Sequence, residues 1–157
     1  MEGQQKDKTV AVNRKARHDY FIIDTYECGI VLTGTEIKSV RDSKVNLKDG
    51  FAKIEKGELW LMNVHISPYE KASWYQHDPR QNRKLLIHKS ELRKLSSKIK
   101  EKGFTLIPLS MYLKGGRLAK IALALAQGKT EHDRRDAIIE RDAKRSIARE
   151  MRNRAND

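Results

Sequence analysis

Residues 104–113 and 118–126 read as two long strands joined by the tight turn Lys114-Gly115-Gly116-Arg117. In the second run Ala119, Ile121, Leu123 and Leu125 fall on one side, and Leu118, Lys120, Ala122, Ala124 and Ala126 on the other. Successive strand side chains point to opposite faces, so the larger apolar set can face a core. The small residues opposite let something bulky approach. Earlier segments have the same character. Residues 20–26 and 29–33 read as strands separated by a Glu27-Cys28-Gly29 turn. Residues 51–55 and 59–64 form a hairpin at Lys56-Gly57-Glu58, and residues 83–88 make a strand with a basic entrance. A short helix starts at Thr35 after a turn at Gly34, with Glu36 in its first turn and Lys38 and Arg41 on its outer side. A second helix is capped by Ser90, carries Leu92, Leu95 and Ile99 at helical spacing, and stops at Gly103.

Six or seven strands and two short helices in about 110 residues predict a mainly β domain, a sandwich or a barrel. A small closed or partly open barrel is expected, because it manages its edges without more strands. Every aromatic residue lies between Tyr20 and Tyr112, so the core belongs there. The expected organisation is a basic arm over residues 1–18, a barrel domain over 19–128 and a tail over 129–157.

The formal charge of +12 favours a polyanionic partner, nucleic acid above all. Residues 71–102 hold ten cations against three acids, whereas residues 19–70 hold six against nine. The basic surface is therefore expected from the middle segment and the N-terminal arm. Cys28 is the sole cysteine, which leaves no disulfide framework and no thiolate metal cluster. No run of 18 apolar residues occurs and the N-terminus lacks an apolar leader, so a cytoplasmic monomer away from membranes is expected.

Enzyme signatures are weak. His18, His65, His77, His88 and His132 are scattered without ligand spacing, and no phosphate loop, dinucleotide fingerprint or nucleophile elbow is present. His132-Asp133 is shared with metal phosphohydrolases, but the further histidines those need are missing from neighbouring positions. No cofactor or metal is expected. RNA suits the chain better than duplex DNA, since a small barrel with aromatics in loops fits unstacked or folded RNA. Trp74 and Tyr75, in a loop over residues 69–82, either stack on bases or plug the barrel mouth. Glu36 either supports its helix start or accepts a base amino group. Residues 1–18 are a solvated leader or a phosphate-gripping arm. In the tail, Ile139, Ala143, Ile147 and Met151 form a narrow apolar line among many cations. At ~25 cal/mol per Å² such a line buries little, so the tail is expected to fray when free and to be helical when docked in a polyanionic groove. A salt-bridged surface helix is the alternative.

Four blocks carry a family resemblance. Asn13-Arg14-Lys15-Ala16-Arg17-His18-Asp19-Tyr20, Gly34-Thr35-Glu36-Ile37-Lys38-Ser39-Val40-Arg41, Asp78-Pro79-Arg80-Gln81-Asn82-Arg83-Lys84-Leu85-Leu86 and Gly128-Lys129-Thr130-Glu131-His132-Asp133-Arg134-Arg135 resemble the signature blocks of the SmpB family, the SsrA-binding proteins. The resemblance implies an oligonucleotide-binding-type β-barrel with short flanking helices. It implies a partner of tmRNA in bacterial trans-translation whose barrel grips the tRNA-like domain, in place of the missing anticodon arm. The basic tail would enter the decoding centre and empty mRNA channel of a stalled ribosome and fold there as a helix. By the same resemblance, Asn13, Lys15, Arg17, His18, Glu36, Lys38, Ser39, Arg41, Arg80, Arg83 and Lys84 would contact RNA. Lys129, His132, Asp133, Arg134 and Arg135 would approach the decoding centre, and Arg141, Lys144, Arg145, Ile147, Arg149 and Met151 would line the channel. Ala143 stands where relatives can carry an aromatic residue. A general RNA-binding or RNA-chaperone barrel without a ribosomal step is the alternative.

Overall fold

In the computed structural model, which describes residues 6–72, 74–101 and 103–155, the elements run in chain order from a short N-terminal strand to a long C-terminal helix. The side chains of residues 131–134 and 137 lie outside that description. They are β1 (Lys8–Val12), α1 (Ala16–Asp19), β2 (Tyr20–Ile30), α2 (Gly34–Arg41), β3 (Val45–Asn46), β4 (Phe51–Glu55), β5 (Glu58–Met62), β6 (His65–Ile66), β7 (Arg83–Leu86), α3 (Lys89–Ile99), β8 (Phe104–Lys114), β9 (Leu118–Gly128) and α4 (Glu131–Ala155). Strands hydrogen-bond in the order β1-β8-β4-β5-β7-β2-β9, and β8 also pairs with β9, so the sheet closes into the expected small barrel. A separate ribbon joins β3 to β6. β8 serves two neighbours on one edge: Leu106 pairs with Ala52 of β4, while residues 110–113 pair with β1.

The long hairpin forms as its alternation predicts. Ile121, Leu123 and Leu125 are fully buried in the main core with Leu61, Leu106 and Met111. On the opposite face Ala124 and Ala126 are also fully buried, in a second cluster with Ala16 and Ile107. The bulky group that these alanines admit is the chain's own N-terminal helix. At the β4–β5 turn Lys56 and Gly57 both take positive φ, 50° and 74°, which matches the twist of a two-residue hairpin loop.

Three expectations are corrected. Residues 20–30 form one strand, because β2 pairs continuously with β9 from Asp24 to Gly29 and leaves no room for a turn at Glu27-Cys28-Gly29. Gly29 serves closeness instead: a Cβ there would lie 3.3 Å from the Leu86 Cβ. The N-terminal arm is partly sheet, since Val10 is buried and β1 is bonded to β8. The second helix begins at Lys89 with His88 as N-cap, not Ser90, while Leu92, Leu95 and Ile99 meet the core as their spacing requires.

Candidate nucleic-acid interface

Helix α2 starts with a reciprocal cap. The Thr33 hydroxyl accepts from the Glu36 amide, and Glu36 Oε1 accepts from the Thr33 amide at 2.9 Å. The other carboxylate oxygen, Oε2, accepts from Arg83 Nε. The Arg83 guanidinium also donates to the carbonyls of Val64 (2.7 Å), Pro79 (3.1 Å) and Asp78 (3.4 Å). Beside it, His77 Nε2 donates to the Ile66 carbonyl at 3.0 Å, and its Nδ1 meets the Thr35 hydroxyl at 2.8 Å. Helix α2 and the loop over residues 69–82 are thus bolted together through a buried polar network. Burial works to raise the Glu36 carboxyl, but the Thr33 amide, the Arg83 guanidinium and Gln81 outweigh it and hold the group below the usual carboxylate range.

This geometry corrects part of the expected RNA face. Glu36, Ser39 and Arg83 are 1%, 1% and 2% exposed and lie inside the protein. Glu36 has each oxygen engaged by a protein donor and is closed off from solvent in this conformation. Ser39 Oγ is enclosed without a hydrogen-bond partner among the described residues. Asn13 is half-buried and also structural, since its side chain donates to the Pro108 carbonyl at 3.1 Å and its amide to the Leu109 carbonyl at 2.8 Å.

The remaining cations stand outside. Lys15, Arg17, Lys38, Arg41 and Arg80 are exposed. His18 lies 2.9 Å from Asp19. Lys84 is partly screened by Glu58 at 3.3 Å on the neighbouring strand. Arg14, which is not among the expected RNA contacts, is exposed and lines a cleft with Arg17, His18, Ile138 and Arg141. That cleft brings the N-terminal block against the root of the tail. Lys129 fastens the junction: its amide donates to Asp19 O at 2.9 Å, its Nζ to Arg17 O at 3.0 Å, and its ammonium sits 4.9 Å from the Phe21 ring centroid. Beyond it, Arg135, Arg141, Lys144, Arg145 and Arg149 are exposed along α4, as are Ile147 (54%) and Met151 (67%). The side chains of His132, Asp133 and Arg134 lie outside the described residues. Trp74 is 98% exposed and Tyr75 59%, so neither plugs the barrel.

The single cysteine is inert, because burial pushes the Cys28 thiol up to about 12. No helix of the described residues is long and apolar enough to cross a membrane. Among the described residues no group of three or more His, Cys, Asp or Glu converges on a metal position.

Comparison with known proteins supplies the family. The model for the SmpB protein family matches residues 10–153. The SsrA-binding protein of Desulforudis audaxviator is 57% identical over 153 residues, covering 98% of this chain and 99% of the relative. That of Ligilactobacillus salivarius is 54% identical, covering 97% of each. A chain from the solved structure described as "tmRNA-SmpB: a journey to the center of the bacterial ribosome" is 50% identical, with a TM-score of 0.66, covering 82% of this chain and 93% of that one. The family match spans residues 10–153, from within β1 to near the end of α4, and the chain belongs to the SmpB family.

Proposed function

We propose that this protein is an RNA-binding adaptor of trans-translation. It binds the tRNA-like domain of tmRNA through its barrel domain and carries that RNA to stalled ribosomes. Its C-terminal tail then senses the empty mRNA channel beyond the decoding centre. One observation carries this: family membership spans residues 10–153 and so includes both the barrel and the exposed cationic helix. A barrel alone would serve general RNA binding; the tail is what a ribosomal step needs. The contacts with RNA are assigned to the exposed cations Lys15, Arg17, Lys38, Arg41 and Arg80, with Arg14 added from the cleft. Glu36 and Arg83 act from inside by holding α2 and its loop in place, and Ser39 is enclosed within α2. The tail is helical when docked in the channel, and no catalytic step is assigned to the chain.

Truncation after Gly128 tests the division of labour. The shortened protein is expected to keep near-normal affinity for tmRNA and to lose peptide tagging on stalled ribosomes. Normal tagging by the truncated protein would favour the general RNA-binding barrel instead. Affinity for tmRNA is expected to fall steeply with salt, with each neutralised phosphate adding about 0.7–0.9 to the log–log slope. Turnover of phosphodiester substrates with a divalent metal would overturn the non-enzymatic assignment.

A further inference from the structure

A shallow cleft of about 270 Å³ lies outside the cation clusters, lined by Gly34, Thr35, Lys38, Lys71, Trp74 and Tyr75 together with Tyr69 and Ala72. Its composition is unusual for a solvent-facing loop. An indole that is 98% exposed gains nothing from the core, yet the loop that carries it is braced. The Gln76 side chain accepts from the Tyr69 amide at 3.1 Å and donates to the Tyr69 carbonyl at 2.9 Å, which ties the middle of the loop back to its start. His77, immediately after, is 2% exposed and fixed to α2 and to the Ile66 carbonyl. Lys38 leans over the Tyr69 ring with its ammonium 5.3 Å from the centroid. A platform of aromatic surface is thus presented outward on a tethered loop, with two ammonium groups, Lys38 and Lys71, in its wall.

We infer that this cleft is a binding site for a single unpaired nucleotide of RNA. The base stacks on Trp74 and Tyr75, and the flanking phosphates lie by Lys38 and Lys71. Stacking on an aromatic face is open to any base, whereas the bases of a continuous duplex are already stacked on each other. The geometry therefore selects single-stranded over double-stranded RNA without selecting sequence. Every base offers a face, so the site adds affinity wherever the bound RNA has a looped-out nucleotide. This rests on the RNA-binding assignment above and adds to it a second kind of contact, at residues outside the exposed cations of the signature blocks apart from Lys38.

The test uses the full chain with Trp60→Phe, which leaves Trp74 as the only indole. Its fluorescence is titrated with a short single-stranded RNA, with a duplex of the same length and with purified tmRNA. Quenching by the single strand and by tmRNA, with little by the duplex, is the expected result. In the wild-type background Trp74→Ala is expected to weaken single-strand binding about tenfold, and Trp74→Phe to retain most of it. Equal quenching by duplex and single strand overturns the inference. So does a Trp74→Ala variant with unchanged affinity for the single strand. If that variant and the wild-type both bind tmRNA with the same affinity, the cleft is wrong and the adaptor function stands. If the wild-type fails to bind tmRNA at all, the adaptor function itself is wrong.

Discussion

The α2–loop junction and the C-terminal helix use the same residue types to opposite ends. At the junction an arginine and a glutamate are 2% and 1% exposed, and both ends of each group are matched by protein partners. Along α4 the arginines and lysines whose side chains are described face solvent, and even the Lys144–Glu140 pair, 3.5 Å apart at i,i+4 spacing, is mostly exposed. Charge that is enclosed must be satisfied internally and so specifies shape. Charge that is exposed stays available to a partner. The cationic excess of the chain is therefore not one surface property; part of it is structural and part of it faces solvent.

Breaking the enclosed side should have the largest effect. Arg83→Met leaves the Glu36 carboxylate buried without its counter-ion, and removal of one member of such a pair costs about 3–5 kcal/mol. Urea unfolding checks this; a loss below about 1 kcal/mol would show that the pair does not govern the junction. Gly50→Ala probes the barrel next to it. A Cβ at Gly50 would meet Val64 Cγ2 at 2.5 Å and Pro108 Cγ at 3.1 Å, so overpacking of about 1–3 kcal/mol is expected, read as a lowered Tm.

Acid should expose the same contrast. The folded Glu36 carboxyl titrates below its unfolded value, so its contribution to stability is complete above the ordinary carboxylate range, near about 4.3. That contribution is lost as pH falls through the depressed folded value. Thermal melts at decreasing pH should show an acid limb that is shallower in Glu36→Gln, although that variant is less stable at neutrality. Identical limbs in both proteins would remove Glu36 as the source. The smallest effect on stability is expected on α4. Ile139 and Ile147 are 66% and 54% exposed, so replacing both by serine should shift unfolding by less than about 0.5 kcal/mol. Peptide tagging should nonetheless be lost. A large loss of stability would mean that the tail is fastened to the barrel along its length.

The legibility of the sequence differs between the same two regions. Period-two alternation in residues 118–126 gave the long hairpin and its buried face, because pleat geometry ties face to position. The strand order by which the barrel closes and the continuity of β2 were not readable, since both depend on pairing partners far along the chain. Glu27-Cys28-Gly29 has turn-like composition, and pairing with β9 overrode it. The site was harder still. Glu36 and Arg83 are 47 positions apart, and nothing local tells a buried charge from an exposed one. His77 looked like one more scattered histidine until its two ring nitrogens were placed against Thr35 and Ile66. The exposed cations, by contrast, were legible as a set because they need only solvent. Arg14 was missed as a member because its partners in the cleft, Ile138 and Arg141, come from the other end of the chain.

The anchored root of α4 has a metrical consequence. Lys129 is held at Asp19, and the helix that follows runs for 25 residues, which gives it a length of about 37 Å. With its zero mark fixed on the barrel, such a helix works as a graduated rod: each position has a set distance and a set azimuth. One residue inserted after Thr130 advances everything beyond it by about 1.5 Å and rotates it by about 100°. Seven residues restore the azimuth to within about 20° while lengthening the rod by roughly 10 Å. Reach and bearing can thus be varied independently without altering any residue that the tail presents.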